Sequence, residues 1–192
     1  MNLPLEWRTL SMLAEYGYRG SSAPVLLQSF EPSSLKEFRR MSSMRRVQLI
    51  GGPGNKPSSN GTPLNTPYDW VATNDPRTYA DMTTSMGLKE IAGYAYAVSP
   101  YAATIIPRIA GNALGLPTPF VANAHAVGLK VHTYTFRPEN PFLPTPLRRG
   151  DVTSPSERGD LVAEICAYLN AGIDGFFTDD VSEGRLAVDS LR

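Results

Sequence analysis

The sequence predicts an α/β fold built on a parallel sheet, and three observations carry that reading. Short runs rich in β-branched and aromatic residues alternate with segments of helical spacing. Residues that start and stop helices stand at the joints between them. A strand-like run, Val131-His132-Thr133-Tyr134-Thr135-Phe136, follows directly on a helix-like segment that ends in Gly128. Alternation of this kind favours parallel strands joined by helices over an antiparallel meander.

Taken in order, Leu5 to Tyr16 reads as a helix, with Leu5, Leu10, Leu13 and Tyr16 largely on one face and Gly17 at its C-terminal end. Val25 to Phe30 is a short strand. Pro32 opens the next helix, where Ser34 and Glu37 fit a capping box and Leu35 and Phe38 face inward. Val47 to Ile50 is the second strand. Residues 51–68 are dominated by Gly, Pro, Asn, Ser and Thr and read as a long surface loop. Its start, Gly51-Gly52-Pro53-Gly54-Asn55-Lys56, lacks the Gly-Lys-Ser/Thr ending of a phosphate loop. Asn60-Gly61-Thr62 is a formal glycosylation acceptor, relevant only in a eukaryotic secretory route. Asp75-Pro76 begins a helical region running toward Tyr94, and Tyr96 to Ser99 is a short strand. Thr118-Pro119 caps a helix holding Phe120, Val121, Ala124 and Val127. The strand 131–136 follows, then a proline-rich loop over 138–158. Asp160 caps a helix with Leu161, Ile165, Tyr168 and Leu169 inward, stopped by Gly172. Ile173 to Asp179 is the last strand, and a helix from Ser182 to Leu191 closes the chain.

Composition bounds the function. The 192 residues suit a single domain, 1–192, with 42% apolar and 19% charged residues, a globular balance. The net charge is zero, so no basic field attracts nucleic acid or an anionic membrane. One cysteine excludes an internal disulfide and a cysteine-cluster metal site. No apolar run approaches the roughly 18 residues of a membrane span. The first residues, Met1-Asn2-Leu3-Pro4-Leu5-Glu6, carry no signal-peptide pattern, so the expected compartment is the cytoplasm.

The strand 131–136 draws attention because it is polar for a sheet covered on both faces. Alternation puts Val131, Thr133 and Thr135 on one side and His132, Tyr134 and Phe136 on the other, with Arg137 at the C-terminal end. The C-terminal ends of parallel strands are where α/β proteins place their chemistry. The rim residues there are Gln28, Ser29, Gln48, Tyr134, Arg137, Thr178 and Asp179. Each has a plainer reading beside the functional one. Arg137 contacts a phosphate or forms an ion pair with Glu139 or Asp179. Tyr134 walls a pocket or packs in the core. Asp179 lines a site or closes a turn. His132 is an acid or a hydrogen-bonded core residue, and His125 sits near the end of a helix whose dipole favours it. Arg148 and Arg149 are solvated loop charges, and Cys166 is a small buried helix residue.

Several segments together resemble the glycerophosphodiester phosphodiesterase family, in its periplasmic or secreted branch: Val25–Phe30 with Glu31-Pro32, Val47–Ile50, Ile105-Ile106-Pro107-Arg108, Ala124–Leu129, Val131–Asn140 and Gly172–Asp179. The resemblance implies a TIM (β/α)8 barrel of the phospholipase-C-like type. It implies hydrolysis of a glycerophosphodiester to an alcohol and glycerol 3-phosphate, and dependence on a divalent cation, Ca²⁺ or Mg²⁺. It also implies that 1–192 corresponds to about the last five βα units. The family's His-Arg-Gly, Glu-x-Asp, His-Asp and Glu-Ile-Lys motifs, which supply the catalytic histidines and metal carboxylates, would then lie upstream, with a signal peptide there implying the periplasm or secretion. No catalytic or metal residue is assigned within the chain. A substrate-pocket role is implied for Gln28, Ser29, Tyr134, Arg137, Thr178 and Asp179, with Tyr134 where many members carry Trp. Where members read Tyr-Ala-Asp-Gly-Ile-Gly-Pro this chain has Tyr94-Ala95-Tyr96-Ala97-Val98-Ser99-Pro100. The alternative expectation is a non-catalytic half-barrel that binds a ligand or oligomerises through its open edges.

Overall fold

A computed structural model describes residues 5–52, 65–151 and 153–191. The glycine-rich stretch from Pro53, the Asn60-Gly61-Thr62 triplet and most of the 51–68 loop lie outside them. Contacts group the chain into two compact units: Met1–Ser99 with Ala126–Leu129, and Pro100–His125 with Lys130–Arg192.

The first unit opens with α1 (Leu5–Glu15), ended by Gly17 at a φ of +82°, as the sequence implies. The expected inward face is not found. Leu5, Trp7, Met12 and Tyr16 are all exposed, and α1 buries none of its residues. Amphipathic spacing says which face is able to bury, not what covers it. Next come β1 (Leu26–Ser29), α2 (Pro32–Met41) and β2 (Arg45–Ile50). The two strands are parallel, with Leu26 opposite Arg45 and Ser29 opposite Gln48. Leu27, Val47 and Ile50 are buried with Leu35 and Phe38 of α2. The expected capping box does not form. With Pro32 as the first helical residue the cap is Glu31, and Ser34 lies inside the first turn. Its hydroxyl instead donates to Glu6 Oε1 at 2.6 Å, and Glu37 pairs with Arg40.

A continuous helix from Asp75 to Tyr94 is also replaced, by α4 (Tyr79–Met82) and α5 (Ser85–Ala92), after a short α3 (Tyr68–Ala72). Two threonines explain the break. Thr78 caps α4 with a full capping box, and Thr84 accepts from the Gly87 N–H at 3.1 Å to start α5. Asp75 is held by Arg77, whose side-chain hydrogen bonds pull its carboxyl down to about 2. β3 (Ala97–Pro100) lies beside β2, giving the order β1-β2-β3. Gln48, fully buried, ties this sheet together. Its amide donates to the Phe30 and Leu49 carbonyls at 3.0 and 2.9 Å, and its Oε1 accepts from the Tyr94 hydroxyl at 2.8 Å.

In the second unit a small antiparallel pair, β4 (Arg108–Ile109) and β5 (Ala113–Leu114), stands where the sequence suggested only a loop. Two-residue strands leave no periodicity to read. Their turn is marked instead by left-handed Gly111 and Asn112. α6 (Phe120–Ala126), β6 (Lys130–Phe136), α7 (Leu161–Asn170), β7 (Gly175–Thr178) and α8 (Val181–Asp189) follow. β6 and β7 are parallel, His132 lying opposite Gly175. A Cβ on Gly175 would stand 2.9 Å from the His132 ring, so the glycine makes room for the histidine. Asp174 anchors the strand start, accepting from the Val131 N–H at 2.9 Å, Lys130 Nζ at 2.8 Å and His125 Nε2 at 2.7 Å. His125 is thus a packing residue on a carboxylate. Burial pushes the Asp174 carboxyl up, but these three donors outweigh it and hold it below its usual range.

The 138–158 loop is tied down rather than loose. Asn140 is fully buried. Its amide donates to the Arg149 carbonyl at 2.7 Å, its Oδ1 accepts from the Arg149 N–H at 3.1 Å, and its own N–H donates to the Glu157 carbonyl at 2.7 Å. Asp160 caps α7 as expected, accepting from the Ala163 N–H at 3.0 Å. Leu161, Ile165 and Tyr168 are buried.

Candidate functional site

The site is built on the C-terminal end of β6. Its alternation holds for Val131 and Thr133, both buried, and then breaks. Pairing with β7 shifts register between Thr133 and Phe136. Such an irregularity re-aims the side chains beyond it. Phe136, expected beside His132 and Tyr134, instead turns into the core. Its ring meets Tyr168 edge-to-face at 4.9 Å and Phe176 at 5.7 Å. Tyr134, Thr135 and Arg137 line a cavity of about 320 Å³, within the size range of small-molecule pockets. Tyr101 to Ala103, Arg108, the buried Phe136, Phe142, Glu164 and Tyr168 complete its walls.

Two ion pairs belong to it. On the inside, Arg108 Nη2 donates to Glu164 Oε1 at 2.6 Å and to the Phe142 carbonyl at 3.2 Å. The Glu164 side chain is only 5% exposed. Burial pushes its carboxyl above the usual range, with Arg108 acting in the opposite direction. Arg108 Nη1 is buried and has no acceptor among the described residues. On the outside, the Arg137 guanidinium stacks 4.8 Å from the Phe142 ring centre. Its Nε lies 2.8 Å from Asp179 Oδ2 but off the hydrogen-bonding direction, an ion pair rather than a hydrogen bond. Tyr134 stands edge-to-face with Tyr101 at 6.2 Å, and burial, then Tyr101, pushes its hydroxyl up to about 12. It is a neutral wall residue at physiological pH. The Tyr168 hydroxyl donates to the Ile106 carbonyl at 3.2 Å.

Of the residues implied by the sequence, Tyr134 and Arg137 line this cavity, and Asp179 meets it through Arg137. The Thr178 hydroxyl is spent on the turn after β7, bridging the Phe136 carbonyl and the Asp180 N–H at 3.1 Å each. Gln28 and Ser29 belong to the first unit, where Gln28 is exposed and Ser29 Oγ accepts from the Glu31 N–H at 3.0 Å. Sequence reasoning missed Arg108 and Glu164 as site residues. The signal was present: Glu164 falls three residues after Leu161 and four before Tyr168, on the buried stripe of α7. A carboxylate there needs a buried partner.

Among the described residues no three His, Cys, Asp or Glu side chains come together to hold a metal ion. Asp179 is held by Arg137, and Asp180 by Arg158 at 2.5 Å.

Two comparisons bear on kinship and a third on the fold. Residues 5–183 match the family model described as the glycerophosphoryl diester phosphodiesterase family. A glycerophosphodiester phosphodiesterase of Arabidopsis thaliana, GDPD6, is 30% identical over 93% of this chain and 45% of its own length. The chain therefore spans about half the length of that relative. The crystal structure of a provisionally named glycerophosphoryl diester phosphodiesterase from Silicibacter pomeroyi superposes with a TM-score of 0.55 at 19% identity, over 96% of this chain and 44% of that one. That likeness shows a shared α/β fold. With a family match over nearly its whole length, the chain belongs to the glycerophosphoryl diester phosphodiesterase family.

Proposed function

We propose that the protein carrying this chain hydrolyses glycerophosphodiesters to an alcohol and glycerol 3-phosphate, and that this chain supplies a wall of the substrate pocket. The observation that carries the reading is the cavity at the end of β6. Tyr134 gives it a neutral aromatic side, and the Arg137 guanidinium is presented at its edge. An arginine there offers planar N–H donors to a phosphoryl oxygen, and its loose pairing with an exposed Asp179 is readily exchanged for a ligand. Asp179, paired with Arg137 at the same edge, joins the proposed substrate-facing set.

The family generally uses a divalent metal. The described residues do not fit one: they hold no group of three ligands, and of the adjacent carboxylates at 179 and 180 the second is taken by Arg158. No step of the reaction is therefore assigned to a cation bound here. Bond cleavage needs a nucleophile, a general acid and charge stabilisation. We place these in sequence upstream of Met1, this chain corresponding to about the last five βα units of the barrel. The match to the plant relative covers 45% of its length, so more than half of that relative lies outside it.

The test is turnover of glycerophosphocholine by the natural full-length protein with Ca²⁺ or Mg²⁺. R137A is expected to raise KM by about tenfold, the loss of one charge-assisted contact, and Y134A by a fewfold, the loss of a neutral wall, each with a smaller effect on kcat. Absence of turnover with either metal, or wild-type kinetics in both variants, would overturn the reading. A second reading, an oligomerising or ligand-binding half-barrel, is favoured by one observation. Leu5, Met12 and Tyr16 of the first unit, at seven- and four-residue spacing along one side of α1 and its end, are exposed. A dimer of the isolated chain in light scattering, lost in M12E, would support oligomerisation, and a monomer would remove it.

A further inference from the structure

The inner end of the cavity has a chemistry that the phosphodiesterase reading does not use. Arg108 and Glu164 form a buried, charge-cancelled pair, and only part of its hydrogen-bonding capacity is engaged. Glu164 binds Arg108 through Oε1, and Arg108 Nη1 is a buried donor with no acceptor among the described residues. Buried polar groups are ordinarily satisfied, so an orphaned donor beside a cavity marks a group that an entering acceptor relieves. The other wall is aromatic: Tyr101 and Tyr134 stand edge-to-face, and Phe142 is already covered by Arg137.

Charge decides what such a place accepts. An ammonium group would share the cavity with two guanidiniums, Arg108 and Arg137, and would find one face of Phe142 occupied. An anion would meet Glu164, whose burial already disfavours its charge. A neutral group offering both O–H donors and oxygen acceptors matches a carboxylate–guanidinium pair with one unsatisfied donor, and its C–H faces match tyrosine rings. We propose that this cavity binds a neutral polyhydroxylated ring, a cyclic polyol, as the alcohol portion of the substrate, read by Arg108 and Glu164. The volume of about 320 Å³ leaves room for a six-carbon ring. This inference rests on the proposed hydrolysis for its substrate but not for its binding step.

The natural full-length protein is titrated with myo-inositol and, separately, with choline chloride, followed by calorimetry. Saturable binding of myo-inositol and none of choline is expected. The kcat/KM for glycerophosphoinositol should exceed that for glycerophosphocholine by about tenfold or more, the discrimination expected when a hydroxyl-reading site faces an alcohol without hydroxyls. E164Q, which keeps the shape and loses the charge, should bring that ratio toward one through KM. If E164Q fails to fold, Y101A, at the open edge of the same wall, serves as the second variant and should weaken myo-inositol binding through the lost ring face while choline stays unbound. Binding of choline, or turnover without preference and no binding of myo-inositol, overturns the inference and leaves the hydrolase reading standing. Binding of myo-inositol by a protein that hydrolyses neither diester upholds the pocket and overturns the hydrolase reading.

Discussion

The two ion pairs of the cavity share a chemistry and differ in solvent. Arg108 and Glu164 lie inside, the carboxylate 5% exposed, at 2.6 Å. Arg137 and Asp179 lie at the edge, 41% and 55% exposed, at 2.8 Å and off-line. An almost equal distance therefore says little about worth. Desolvation makes each half of the inner pair dependent on the other, while water screens and replaces the outer one. The inner pair is fixed architecture with spare hydrogen-bonding capacity. The outer pair is an arginine held in readiness.

The largest effect expected from this contrast is on stability. R108A leaves a buried carboxylate without its counter-charge and should cost about 3–5 kcal/mol in urea denaturation at neutral pH. E164Q keeps the hydrogen-bonding shape, removes the charge and should cost much less. The penalty in R108A should also shrink in acid, where Glu164 takes up a proton. A loss as large for E164Q as for R108A, or one independent of pH, would break the distinction.

A second expectation sets Glu164 against Asp174, because their carboxyls move in opposite directions. Glu164 is raised in the folded state, so between its unfolded value of 4.5 and its folded value the native state holds a proton that the unfolded chain has lost. Its contribution is fully present below 4.5 and is lost as pH rises through the folded value. Asp174 is lowered from 3.8, so its contribution is present above 3.8 and is lost as pH falls through the folded value. Stability of E164Q relative to wild type should therefore improve as pH rises from 4, while D174N should lose its disadvantage only below about 3.8, on the reference scale for an unfolded carboxyl. At pH 7 D174N should cost about 1–3 kcal/mol, since one carboxylate serves Lys130, His125 and the Val131 N–H. Parallel pH profiles of the two variants would refute the assignment.

The same contrast explains what could be read in the sequence. The α/β rhythm was legible because β1, β2, β6, β7 and their helices carry periodic apolar residues and caps, Asp160 among them. Tyr134 and Arg137 were legible because they sit at the end of a polar strand. The inner pair was hidden because its partners are 56 residues apart and Arg108 lies on a two-residue strand with no period of its own. The turn of Phe136 into the core was hidden for another reason: a register shift is a property of pairing with β7, and alternation read along one strand cannot contain it. The exposed face of α1 was misread because periodicity marks a face and not its cover.

An intermediate effect is expected from the loop that bounds the cavity. Asn140 holds Arg149 from both sides of its amide, and Phe142, two residues on, supplies the ring beneath Arg137. N140A should cost about 1–3 kcal/mol, from buried groups left unsatisfied. It should also raise protease sensitivity within 138–158. An unchanged cleavage pattern would show that the loop is held by other contacts.

The smallest effect on stability belongs to the outer pair, and there the two regions separate most clearly. D179N removes a half-exposed partner and should change stability by about 0–1 kcal/mol. It should act on function instead. Without the competing carboxylate, Arg137 keeps its stacking on Phe142 and loses its internal anion, so a phosphodiester meets a freer guanidinium. KM for a glycerophosphodiester should fall by a fewfold, with kcat little changed. A rise in KM would mean that Asp179 orients Arg137 toward the ligand rather than competing with it, and would move Asp179 from rival to positioning residue.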